Sequence, residues 1–134
     1  EEGLAYDFES VTRAPNTRDA HRVLLLARER GRLWEAADAV YRAYFAEGRD
    51  VTDADTLAGI ASAAGLDAAE VRRMLAGDEY GHEVDAAQLL AERSGITGVP
   101  FVVFNGRFAV SGAQPPEAFH TAIDRALAGA AEAA

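Results

Sequence analysis

Residues 95–119 read GITGVPFVVFNGRFAVSGAQPPEAF. Phe101-Val102-Val103-Phe104 is the most strand-like run in the chain, and a proline stands directly before it. Four apolar residues in a row suit a strand covered on both faces. Asn105-Gly106 is a strong hairpin signal, because both central positions of such a turn need positive φ. Residues 107–110 then return. Proline carries no N–H, so Pro100 starts a strand without leaving a donor unpaired. A lone two-stranded hairpin is marginal in water, so its faces call for helices and its outer edge for other strands. LAYDFE, residues 4–9, is the one other candidate strand. The hairpin therefore reads as the end of a larger sheet.

The rest of the chain reads as helices. NTRDAHRVLLLARERG places Ala20, Val23, Leu24 and Ala27 at helical spacing and stops at Gly31. The next segment puts Leu33, Ala37, Val40, Tyr41, Tyr44 and Phe45 on one face and stops at Gly48. Leu57, Ile60, Ala61 and Ala64 mark a third helix, stopping at Gly65. A fourth has a start signal in Asp67 with Glu70, flanked by the Leu66 and Val71 staple. A fifth ends at Gly95, and a sixth begins at the Pro115-Pro116 pair with Phe119, Ile123, Ala126 and Leu127 inward.

The chain has 134 residues, 49% of them hydrophobic, enough for a buried core. Net charge is −9, which argues against a nucleic-acid partner. All 13 basic residues are arginine, which reads as compositional bias. No apolar run approaches the ~20 residues of a membrane span, so no membrane association is expected. Glu1-Glu2 opens the chain with acid and no signal peptide is read, so a cytoplasmic location is expected. Cysteine is absent, which excludes disulfides, thiolate catalysis and cysteine-based metal sites within this chain. His82 and His120 lie in separate helices without metal-ligand spacing and read as surface residues. No metal and no cofactor are expected. Trp34, Tyr41, Tyr44 and Phe45 suit a groove lining or, more commonly at helical spacing, a core.

The T-G-V-P strand, the N-G turn, SGAQPPEAF (residues 111–119) and a terminal helix together resemble the C-terminal part of a DsbA-family thioredoxin-like protein. NTRDAHR, residues 16–22, resembles the segment that opens the inserted helical domain of its FrnE-like branch. The resemblance covers essentially the whole chain and rests on three motifs in order. It implies an α/β, thioredoxin-like fold of DsbA type, mostly helical here, with one C-terminal hairpin and a terminal helix. Residues 1–94 would be mainly the helical insertion, and residues 95–134 the C-terminal part of the thioredoxin-like domain. The family's N-terminal βαβ portion, with its C-x-x-C motif, has no counterpart in the sequence. The chain is read as a fragment of a longer protein, with a cysteine-free paralogue as the other account.

By resemblance the Val99–Pro100 bond is cis and faces the redox pair, and Val99 offers its backbone to an extended substrate segment. Thr97, His21 and Asn16 join the implied substrate-binding set. His21 has two readings of similar weight, groove-facing or partly buried against a neighbour. Asn16 or Thr17 is equally readable as a helix cap. The implied function is part of a thiol–disulfide oxidoreductase acting on protein or peptide thiols and disulfides, to which this chain supplies the cis-proline wall and a helical lid. The alternatives are a non-redox peptide-binding or chaperone-like module, and a glutathione-dependent enzyme of hydroxychromene-carboxylate isomerase type. The unpaired hairpin edge leaves a homodimer or a strand-swapped partner as candidates.

Overall fold

The computed structural model describes residues 6–11 and 14–131. Six helices and one hairpin follow in the order α1 (Arg18–Glu29), α2 (Leu33–Phe45), α3 (Ala54–Ala63), α4 (Ala68–Ala76), α5 (Gly81–Arg93), β1 (Phe101–Phe104), β2 (Phe108–Ser111) and α6 (Pro116–Ala131). Two compact units result, Glu1–Ala87 and Gln88–Ala134, and the division falls inside α5.

Glycine sets where the helices stop. Gly31, Gly65 and Gly95 all have left-handed φ, at +67°, +91° and +71°. After each, the next N–H reaches back across the last turn: Arg32 to the Ala27 carbonyl, Leu66 to Ala61 and Ile96 to Ala91, at 2.8–3.0 Å. These six-to-one bonds satisfy carbonyls that would otherwise end the helix unpaired. Carboxylates start two of the helices. Asp53 accepts from the Thr56 N–H at 2.7 Å, and Asp67 accepts from the Ala69 N–H at the same distance.

In the first unit α1 packs against α2, α3 and α4 around a core whose deepest side chains are Val23, Val51, Leu57, Val71 and Met74. One expected face is corrected. On α2 the buried residues are Ala36, Val40 and Ala43, whereas Tyr41 is 60% exposed. Small side chains on the inner face let α2 approach its neighbours closely, and this turns Trp34 and Tyr41 outward. The polar position Arg22 of α1 is only 3% exposed. Its guanidinium donates to the carbonyls of Met74, Gly77 and Glu79 at 2.7–2.8 Å and to Asp19 Oδ1 at 2.9 Å. Three of its N–H groups are thereby satisfied at and just beyond the C-terminal end of α4, where carbonyls lack helical partners, and a fourth by Asp19 of α1 itself.

The same stretch receives two more side chains of α1. Arg18 forms a two-pronged pair with Asp85 at 2.8 and 2.9 Å, and Tyr80 donates to Glu29 Oε2 at 2.8 Å. Gly81 fits here because a Cβ would overlap the Asp78 carboxylate and the Arg18 guanidinium. Beyond this anchor α5 packs against no other helix or strand among the described residues, and Leu89 and Leu90 are exposed.

In the second unit β1 and β2 pair antiparallel, with Val102 opposite Val110 and Phe104 opposite Phe108. Asn105 and Gly106 have φ of +51° and +65°, and the Arg107 N–H closes the turn on the Phe104 carbonyl at 3.1 Å. Residues Val102, Phe104, Phe108 and Val110 share the face on which α6 packs. The other face is not covered, and Val103 is 51% exposed. The expectation of cover on both faces therefore holds for one face among the described residues. The inward face of α6 is corrected in part: Ala126 is buried as expected and Ala122 joins it, while Ile123 and Leu127, expected inward, are exposed. Asn105 Nδ2 donates to the Ala126 carbonyl at 3.1 Å, and this contact turns the small-residue stripe toward the hairpin. Of the LAYDFE stretch, residues 4 and 5 lie outside the described residues. Residues 6–9 form no strand, and the Asp7 N–H donates to the Phe45 carbonyl at 2.8 Å.

Candidate functional site

The loop between α5 and β1 is built from both sides. Gly95 ends α5, the chain bends at Gly98 and Val99, and the Val99–Pro100 peptide is cis. Thr97, Val99 and Pro100 are all exposed, Val99 by 89%. The Pro100 carbonyl accepts from the Gly112 N–H at 2.8 Å, which ties this loop to the far end of β2.

That bond also sets the phase of the ladder. Hydrogen-bonded and non-bonded pairs alternate in an antiparallel sheet. The 100/112 pair is bonded, so 102/110 and 104/108 are bonded and 101/111 and 103/109 are not. The backbone groups of Ala109 and Ser111 therefore point away from β1, along the outer edge of β2. Those of Phe101 and Val103 point outward from β1. Among the described residues no further strand pairs with either edge.

A groove of about 440 Å³ runs beside the β2 edge. Its apolar lining comes from Phe108, Val110, Ala118 and Ala122. The positions 118, 121, 122 and 125 form one stripe of α6, so Thr121 and Arg125 line the same groove. Gln114 closes the end near Pro100, where its Nε2 donates to the Ser111 carbonyl at 3.0 Å. Thr121 Oγ1 is turned back on the Glu117 carbonyl at 2.8 Å. The arrangement offers an extended chain a row of backbone donors and acceptors beside an apolar wall, which are the elements of recognition by strand addition.

Of the residues expected from sequence, Thr97, Val99 and Pro100 form one continuous loop in the second unit. Asn16 and His21 belong to the first. Asn16 Oδ1 accepts from the Arg18 N–H at 3.0 Å and so acts at the start of α1. His21 is exposed, which removes its reading as a partly buried residue. The groove residues Ser111, Gln114, Thr121 and Arg125 were not singled out in the sequence. The signal available for them was the 118/121/122/125 spacing on the helix that follows the hairpin. Among the described residues no group of three His, Asp or Glu side chains is placed to hold a metal ion, and no helix is long and apolar enough to cross a membrane.

A family model described as DSBA-like thioredoxin domain matches residues 1–124. The crystal structure of a probable DsbA oxidoreductase from Streptomyces coelicolor is similar, with 46% sequence identity and a TM-score of 0.81. The alignment covers 95% of this chain and 55% of that one, so the chain spans about half the length of that relative. No curated protein matches.

Proposed function

Because the chain belongs to the DSBA-like thioredoxin-domain family, we propose that it supplies the substrate groove of a FrnE-like thiol–disulfide oxidoreductase. The observation that carries this reading is the groove beside the free edge of β2, walled by Phe108, Val110 and the 118/121/122/125 stripe of α6. The Val99–Pro100 loop lies on the β1 side of that strand and is tied to its end by the Gly112-to-Pro100 bond. An extended segment lying along that edge pairs with the outward groups of Ala109 and the Ser111 N–H, and sets alternate side chains against Phe108 and Val110. Residues 95–134 form the wall of the groove in this reading, and residues 1–94 are the helical insertion. Asn16 and His21 are assigned to the substrate side on resemblance alone.

The redox step needs thiolates that this sequence does not contain. In the exchange, an attacking thiolate of the active pair bonds to one sulfur of the substrate disulfide and expels the other as a thiolate. The second thiol of the pair, once deprotonated, then attacks the mixed disulfide. It releases the substrate dithiol and leaves the pair oxidised. The role assigned to this chain is to hold the substrate backbone while sulfur from elsewhere reacts. A peptide-binding role without redox chemistry is the second reading, favoured by the absence of cysteine.

Titration of the isotope-labelled chain with an extended, disulfide-free apolar peptide tests the groove. The expected amide shifts fall at Thr97–Val99, at Phe108–Gln114 and along Ala118–Arg125. Shifts confined to α1–α4, or none at all, would overturn it.

A further inference from the structure

We infer that the groove selects peptide segments carrying an acidic side chain, with Arg125 as the specificity-determining residue; this rests on the groove reading above. Arg125 is the one ionic side chain that lines the groove. It is exposed, and among the described residues it has neither an ion pair nor a side-chain hydrogen bond. Arg18, Arg30, Arg42 and Arg72 are engaged with carboxylates, whereas Arg28, Arg73, Arg93 and Arg107, like Arg125, have no such partner among the described residues; of these only Arg125 lines the groove. A guanidinium left unpaired beside a strand edge favours a carboxylate on an incoming chain, because its fork geometry matches a carboxylate's two oxygens.

The geometry also sets a spacing. Arg125 lies seven residues beyond Ala118 on α6, about 10 Å along the helix axis at 1.5 Å per residue. The α6 end nearest Ser111 and Gln114 adjoins the Pro100 loop, whereas Arg125 lies toward Phe108. An extended peptide covers that distance in about three residues. The acidic side chain therefore belongs about three positions along the segment from the Ser111 and Gln114 end of the groove, on the alternate residues that face α6.

The test uses two extended apolar peptides that differ only by Glu or Gln at that position, with affinities measured for the whole chain and for Arg125→Gln. The wild-type chain should bind the Glu peptide about two- to fivefold more tightly at low salt, the range of an exposed ion pair. Raising the salt should narrow the ratio, and Arg125→Gln should bring it to about one. Arg125→Lys should restore part of it. Equal affinities in the wild type, or a preference that persists in Arg125→Gln, overturn the acidic selectivity while leaving the groove standing. Failure of both peptides to bind overturns the groove and the selectivity together.

Discussion

Arg22 Nη2 lies 2.7 Å from the carbonyl oxygen of Met74, a residue 52 positions further along the chain. With the Gly77 and Glu79 carbonyls it makes one buried cation the common partner of a whole helix end. Arg22→Met keeps much of the volume but strands these acceptors. Each unsatisfied buried group costs about 1–3 kcal/mol, and a loss of about 3 kcal/mol is expected in urea unfolding followed by helical circular dichroism. A loss below about 1 kcal/mol would show that water replaces the guanidinium.

Two helix-ending glycines should respond differently to alanine. Both have left-handed φ, but a Cβ on Gly31 meets open space, whereas a Cβ on Gly48 would lie 2.8 Å from the Ser10 carbonyl oxygen. Gly31→Ala should cost about 1–2 kcal/mol, the left-handed penalty alone. Gly48→Ala should cost more, and equal losses in denaturation would contradict the close approach of Ser10.

Acid sensitivity is expected from Asp53 and Asp85. The backbone N–H of Thr56 holds the Asp53 carboxyl below the ordinary carboxylate range. The hydrogen bond from Arg18 does the same for Asp85. A depressed folded-state pKa contributes stability that is present above the unfolded value near 4 and lost as pH falls through the folded one. Asn also caps helices well, so Asp53→Asn should change stability little at pH 7 and flatten its decline below about pH 4. An unchanged acid slope in both Asp53→Asn and Asp85→Asn would refute the assignment.

Trp34 is the only tryptophan and is 81% exposed. Its fluorescence should be quenched by acrylamide nearly as well in the native chain as in urea. Strong protection in a dilute sample would place a partner on α2.

Without a cysteine the chain cannot form the attacking thiolate. A mass-verified sample should leave the rate of insulin reduction by dithiothreitol unchanged. Catalysis above background would remove the proposed division of labour.

Helix limits were legible because glycine can adopt a left-handed φ without a Cβ penalty, so Gly31, Gly65 and Gly95 mark the stops directly. The turn at Asn105-Gly106 was legible for the same reason. The outward turn of Tyr41 was not, since periodicity shows that Tyr41 and Val40 lie near each other on α2 but not which of them faces α1 and α3. Arg22 escaped because a charged residue within a helix reads as solvated until its distant carbonyl partners are brought to it. The groove escaped because Ser111 and Arg125 come together only when α6 folds back along β2.

The weak packing of α5 sets a hierarchy in time as well as in space. A helix without packed neighbours opens locally at a lower free energy than the body it joins, so its amides exchange with solvent first. Residues 86–93 should take up deuterium while the amides of Val23 and Leu57 are still protected. The Arg18–Asp85 pair marks the point at which that protection begins.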